Sequence, residues 1–335
     1  MTLLPKLAVR LHGAMTPQQC VTQARAAEAA GFAGAWFAEN PFARGILPAA
    51  AACAVATGSL QIGAGVFNPF NRHPSLIAME IGALDELAGG RVRLGIGSGI
   101  GSAIERMGLS YARPLTAVAE AVAMVRALLR GEPVTSTGKI FSVDGVRLDY
   151  VPRANIAIFV TGRGDASLKL AGEIADGLLI SNMCAPGFAA RAAAAAQESA
   201  RAAGRGAIGI VQYMPCCVGA DRAEAHRAAK RAIGEMLPTY WALGARLPAA
   251  RSALMDGSAI TEAEFASAAQ RLRDGEDAAA VLDARFVAAF AIAGTAADCR
   301  AQLAACVAAG ITEMALTFSG TAAAADMAYL STALC

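Results

Sequence analysis

Two glycine-punctuated segments carry the most chemical information in this 335-residue chain: Ile62-Gly-Ala-Gly-Val-Phe-Asn-Pro-Phe-Asn-Arg-His-Pro74 and Arg91-Val-Arg-Leu-Gly-Ile-Gly-Ser-Gly99. In each, an apolar run suited to a buried strand ends in residues that reach backbone conformations closed to side chains with a Cβ. Such an end lets a flat ligand approach the main chain, with N–H groups facing it. A third segment, Thr161-Gly-Arg-Gly-Asp165, joins glycine N–H groups, the cationic fork of Arg163 and the start of a helix. That combination suits a phosphate. The alternative is an ordinary tight turn in which Asp165 caps the helix. Glu39 ends Ala35-Trp-Phe-Ala-Glu-Asn-Pro41, where it could hold a hydroxyl, act as a general acid, or pair with Arg44. His12, beside Gly13, is read as pointing into the same pocket.

These residues need a scaffold that brings strand ends together. Short apolar runs alternate with longer amphipathic stretches along the chain. The expected strands are Lys6–Leu11, Gly34–Ala38, Gln61–Val66, Arg91–Gly97, Ile156–Thr161, Gly177–Ser181, Ile208–Val218 and Glu313–Phe318. The first helix is expected over Thr16–Ala30, with Pro17 where its missing N–H costs nothing. On the third helix, Ser75–Leu87, the spacing of Met79, Leu84 and Leu87 predicts core positions. Residues 132–150 break the rhythm and predict a hairpin; about 245–293 reads as an alanine-rich helical insertion ahead of a helix capped by Gly294-Thr295. Eight strand–helix units fit a single α/β domain over 1–335, a (β/α)8 TIM barrel with insertions. A doubly wound sheet is the alternative, but Gly95-Ile-Gly-Ser-Gly99 lacks the G-x-G-x-x-G spacing.

A barrel places its site at the C-terminal strand ends. Those ends supply His12 and Gly13; Glu39 and Asn40; Gly65, Val66 and Asn68; and Gly97, Ser98 and Gly99. They also supply Thr161, Gly162, Arg163 and Gly164; Ser181 and Asn182; Gln212 and Tyr213; and Thr317 to Ser319. The set is polar and poor in charge, without a nucleophile–base pair or a strand-end lysine, so a cofactor is expected to carry the hard step. With 29 basic and 27 acidic residues and no basic block, neither nucleic acid nor a membrane surface is an expected partner. No apolar stretch is long enough to cross a bilayer, and the start of the chain has no signal-peptide layout, so a cytoplasmic location is expected. The 8 cysteines form no CxxC pair and read as small core residues, with Cys184 placed near a strand end. The three histidines suggest no metal cluster.

The chain resembles the bacterial luciferase-like superfamily, in its branch of reductases that use the deazaflavin coenzyme F-420. The resemblance is carried by Ala29-Ala-Gly-Phe-Ala-Gly-Ala-Trp36, Asn68-Pro-Phe-Asn-Arg-His-Pro74, Leu84-Asp-Glu-Leu-Ala-Gly-Gly-Arg-Val-Arg-Leu-Gly-Ile-Gly-Ser-Gly99 and Leu168-Lys-Leu-Ala-Gly-Glu-Ile-Ala-Asp-Gly177. It implies a barrel with F-420, or alternatively FMN, lying across the strand ends, and a non-proline cis peptide that falls at Gly65-Val66. It implies hydride transfer with a small-molecule substrate in a homodimer, with FMN-dependent monooxygenation or a turnover-less cofactor-binding barrel as alternatives. Glu39 and His12 become the catalytic candidates; the other strand-end residues become cofactor contacts. The pattern is most similar to methylenetetrahydromethanopterin reductases, with two departures. Those enzymes carry an acid within the first strand, where this chain has Arg10, and an aspartate where Ile100 stands.

Overall fold

The alternation of apolar runs and amphipathic stretches resolves into strands and helices in the computed structural model, which describes residues 3–152 and 155–334. In chain order the first half comprises β1 (Lys6–His12), α1 (Pro17–Ala29), β2 (Gly34–Ala38), α2 (Ile46–Ala56), β3 (Gln61–Phe67), α3 (Pro74–Leu87), β4 (Val92–Ile96), α4 (Gly101–Arg106) and α5 (Pro114–Leu129). Strands β5 (Val134–Thr137) and β6 (Ser142–Val146) pair antiparallel. The chain continues with β7 (Ala157–Thr161), α6 (Asp165–Ile174), β8 (Gly177–Ile180), α7 (Pro186–Ala202), β9 (Gly209–Val218) and α8 (Arg222–Arg246). Next come α9 (Pro248–Met255), α10 (Glu262–Arg273), α11 (Ala278–Val281) and α12 (Ala284–Phe290). Strand β10 (Ile292–Gly294), α13 (Ala296–Ala308), β11 (Glu313–Thr317) and α14 (Ala323–Leu334) complete it.

Strands β1, β2, β3, β4, β7, β8, β9 and β11 pair in parallel in that order. The β11–β1 ladder, in which Lys6 faces Glu313, closes the ring. This is a (β/α)8 barrel. Local chemistry sets the helix starts. Thr16 and Gln19 form a reciprocal capping box ahead of α1, with Pro17 in the first turn, and Thr295 and Asp298 do the same for α13.

Period-two alternation divides the strands between two cores. Val9, Leu11, Ile62, Leu94 and Ile158 face the helices, whereas Ala8, Trp36, Phe159, Leu179, Val211, Tyr213 and Ala315 fill the barrel. At the N-terminal end of the barrel, Glu313 accepts from both Arg93 Nη1 (2.6 Å) and Nη2 (2.9 Å), and from Trp36 Nε1 at 2.7 Å. That end of the fold holds structure rather than chemistry. A further apolar cluster gathers Ile233, Leu237 and Trp241 of α8 with Phe265, Phe286 and Phe290 from the helices that follow.

Two expectations need correction, and one element goes beyond them. Leu84 is buried, but Met79 and Leu87 are 50% and 51% exposed, because α3 turns Ile77, Ala78 and Ile81 inward instead. The stretch expected to be helical to 293 ends in β10, whose Ile292 pairs with Cys216 at the far end of the long strand β9. Helix α4, just past the glycines after β4, was not anticipated; six residues give too little periodicity to read.

Candidate active site

The rim is built from the residues following each strand. On β1, the register sets Arg10 beside Trp36 and His12 beside Ala38, both of which face the barrel interior, so Arg10 and His12 point inward. Burial, reinforced by the neighbouring Arg10 guanidinium, lowers the His12 pKa to about 4. The ring is therefore neutral near pH 7 and accepts at one nitrogen.

Glu39 follows β2, and its backbone N–H donates to the Gly65 carbonyl at 3.3 Å. Its carboxylate meets Arg72 at 3.1 Å, and Arg72 also reaches Glu80 at 3.0 Å while lying 4.5 Å from the Phe67 ring centre. The alternative pairing with Arg44 is not formed. Arg44 donates instead to the carbonyls of Gly13 and Ala14. Burial raises the Glu39 pKa, with Arg72 opposing the shift. Asn40 stands exposed beside it.

The Gly65-Val66 peptide at the end of β3 is cis. The pairing of β3 with β4 shifts register there, between Ala64 and Phe67. Gly65 sits at φ +147°, and a Cβ on it would collide with the Gly95 backbone. A Cβ on Gly97 would strike Thr161 and Val66, and one on Gly162 would strike Ser167. These glycines are thus explained by how closely neighbouring segments approach, not only by room for a ligand. The Asn68 side-chain oxygen accepts from the N–H groups of Phe70 (3.2 Å) and Asn71 (3.1 Å), holding the turn that leads to α3. Gly99 packs over Asn68, and Ser98 is partly open between them. His73 caps α3 by accepting from Ser75 and stacks edge-on against Phe141, a structural arrangement.

Across the rim, Thr161 Oγ1 donates to the Leu179 carbonyl at 2.8 Å. Arg163 Nη2 donates to Ser181 Oγ (2.7 Å) and to the Asn182 carbonyl (2.9 Å). Its guanidinium lies 5.1 Å from the Tyr240 ring centre. The Arg163 charge therefore leans toward the end of β8 and is not folded over the Gly162–Asp165 turn. Arg163 Nε and Asn182 Oδ1 are shielded and have no protein partner. Gly164 caps α6 through its backbone alone, and Asp165 pairs with Arg191 at 2.9 Å rather than capping the helix. Cys184 is buried beside this group, and Gln212 donates to its carbonyl at 3.4 Å. Among the described residues no cluster of His, Cys, Asp and Glu could hold a metal, and no helix is long and apolar enough to cross a membrane.

Two site residues escaped sequence reasoning. Arg10 breaks the apolar run Leu7–Leu11 at an inward position, a signal that alternation with Ala8 and His12 could have flagged. Tyr240 comes from α8, far from any strand end, and no local pattern marks it. Together with Tyr213 they form the inner wall. The Arg10 guanidinium lies 5.2 Å from the Tyr213 ring centre, and burial raises the Tyr213 pKa.

The luciferase-like monooxygenase family profile matches residues 1–313. The 5,10-methylenetetrahydromethanopterin reductase of Methanolobus tindarius is 30% identical over 300 residues, covering 87% of each chain. The coenzyme F420-dependent tetrahydromethanopterin reductase of Methanopyrus kandleri superposes with a TM-score of 0.86 at 22% identity, covering 99% of both chains. An F420-dependent secondary alcohol dehydrogenase superposes at 0.79 with 19% identity, covering 99% of this chain and 100% of that one. At these identities the superpositions establish the fold alone. The profile match over most of the length, with a closed barrel of the same architecture, places this chain in the luciferase-like monooxygenase family.

Proposed function

We propose that this protein is an oxidoreductase that exchanges a hydride between coenzyme F-420 and a small organic substrate at the C-terminal rim of the barrel. The observation that carries this reading is a polar rim with unspent hydrogen-bonding capacity but, among the described residues, no nucleophile–base pair. Arg163 Nε offers a donor and Asn182 Oδ1 an acceptor, both shielded and without protein partners. Such groups fit a polar tricyclic ring system with an anionic tail. The F420-dependent hydroxymycolic acid dehydrogenase of Mycobacterium tuberculosis, 32% identical over 232 residues, supports the same choice of cofactor.

The main chain at Gly65, Val66, Asn68 and Gly97 to Gly99, with Asn40, would lie along the ring. Thr161 to Gly164, with Ser181, Asn182 and the first turn of α6, would hold its polar edge and phosphate. When bound, the deazaflavin supplies two-electron hydride chemistry. The chain's own residues position the substrate, keep water out and manage its proton. His12, neutral near pH 7, is the group suited to accept a substrate hydroxyl proton or hydrogen bond, and Glu39 is the second candidate. Tyr213, Tyr240 and the apolar barrel interior shield the reacting centre.

FMN-dependent monooxygenation is the second reading, favoured by the family's own description. A cytoplasmic homodimer accompanies the proposal. It is supported by Leu76, Met79 and Leu87 on the outer face of α3, which are 40%, 50% and 51% exposed at helical spacing. Spectra and mass analysis of the chromophore released from protein purified from its own host test the function. F-420 is expected; FMN alone, or no chromophore together with no F-420 binding in vitro, would reject it.

A further inference from the structure

Arg10 projects into the barrel from the middle of β1, where β-alternation puts it on the same side as Ala8 and His12. Its Nη1 donates to Thr317 Oγ1 at 3.4 Å, a weak contact to the adjoining strand β11. Its Nε is shielded and has no partner. Beneath it, the Tyr213 hydroxyl is likewise buried without a hydrogen bond. The acidic residues that β2 and β11 bring to the barrel are already spent, Glu39 on Arg72 and Glu313 on Arg93. A part-buried guanidinium without a carboxylate is costly to keep unless something anionic arrives.

We propose that Arg10, with Tyr213 below it, anchors a carboxylate on the substrate, so that this enzyme acts on small organic acids. With Nη1 turned to Thr317, the Nε/Nη2 edge is left, and its two parallel N–H groups match the two oxygens of a carboxylate. The Tyr213 hydroxyl adds a third donor from the same wall. The barrel cluster around it is apolar, with Ala8, Ala38, Val66 and Ala315 beside the larger Trp36, and an apolar wall strengthens the charge pairing. Arg10 lies inside the ring of strands, whereas the segment assigned to the cofactor phosphate lies after β7. The proposal rests on reading the barrel mouth as the substrate chamber.

The test is a calorimetric titration of the full-length wild-type protein and of Arg10→Met and Arg10→Lys. The probes are acetate, lactate and benzoate, each paired with its uncharged amide. At least one acid should bind more tightly than its amide by about tenfold or more. Arg10→Met should reduce that acid to the affinity of its amide, and Arg10→Lys should recover part of the difference. F-420 affinity, followed by deazaflavin fluorescence, should stay within about threefold of wild type in Arg10→Met. Circular dichroism checks that each variant folds, and loss of folding in Arg10→Met leaves Arg10→Lys and the acid–amide pairs to decide. The proposal is overturned if no acid outbinds its amide, if the substitutions leave acid affinity unchanged, or if Arg10→Met weakens F-420 as much as the acid. Failure of the cofactor reading has a different signature: the acid–amide difference persists in a protein that binds no F-420.

Discussion

Replacing Arg163 with methionine removes a rim cation whose Nε has no protein partner while keeping the length of the side chain. A hydrogen bond to a charged group contributes about 1.5–3 kcal/mol, so the Kd for F-420 should rise about 10- to 150-fold. The fold should lose about 1–3 kcal/mol, because the carbonyl of buried Asn182 is left without its donor, whereas water can replace the donor at partly exposed Ser181. Fluorescence titration of F-420 measures the effect, and a deazaflavin lacking the phosphate tail should show almost none of it. Gly164→Ala is the companion probe. Its backbone, at φ −82° and ψ 149°, accepts any residue, and a new Cβ would meet nothing nearer than Ala249 Cβ at 3.8 Å. Weaker binding in that variant therefore reports crowding of a ligand, not a damaged turn. Gly162→Ala could not serve, because its Cβ would run into Ser167. If F-420 binds both variants within twofold of wild type, the phosphate assignment at Thr161–Gly164 is wrong.

Glu313→Gln should destabilise the protein by about 3–5 kcal/mol in urea unfolding, because it leaves the Arg93 charge uncompensated; F-420 affinity should not change, and a loss below about 1 kcal/mol would show that the cluster is not structural. His12 should make stability pH-dependent: the unfolded ring takes up its proton near pH 6.5 and the folded one only near pH 4, so stability is full above about pH 6.5 and declines as pH falls toward 4. Complete burial would make that about 3 kcal/mol, and partial solvent access reduces it to about 1–2 kcal/mol; an identical pH profile for His12→Gln counts against the shift. Glu39→Gln should lower turnover by about a hundredfold or more if Glu39 handles a proton, while Arg72 keeps its contact with Glu80. Undiminished turnover in Glu39→Gln would reduce Glu39 to a partner for Arg72.

The architecture was legible because its signals are local. Gly34–Ala38 and Ile46–Ala56 coincide with β2 and α2, since an unbroken apolar run bounded by turn residues allows few alternatives. Thr16-Pro17 and Gly294-Thr295 likewise marked the starts of α1 and α13, where the structure adds a reciprocal capping box to each. What escaped depends on contacts distant in sequence. Strand β10 spans three residues and exists because the far end of β9 needs a neighbour. The orientation of α3 is set by the barrel it packs against, so Met79 and Leu87 share a periodicity with core residues yet face outward. Arg163 was singled out correctly as a rim cation, but its direction depends on Ser181, Asn182 and Tyr240, two of them beyond β8 and one on α8. The alternatives in which Asp165 caps α6 and Glu39 pairs with Arg44 rest on proximity in the chain, and in the folded protein Asp165 and Arg44 both bond elsewhere.

Competition between F-420 and FMN for the purified protein addresses the central claim most directly. Equilibrium dialysis against both together, with the retained chromophore identified by mass, should return F-420 in stoichiometric amount and little FMN. Retention of FMN in preference, or of neither, would contradict a deazaflavin-dependent barrel.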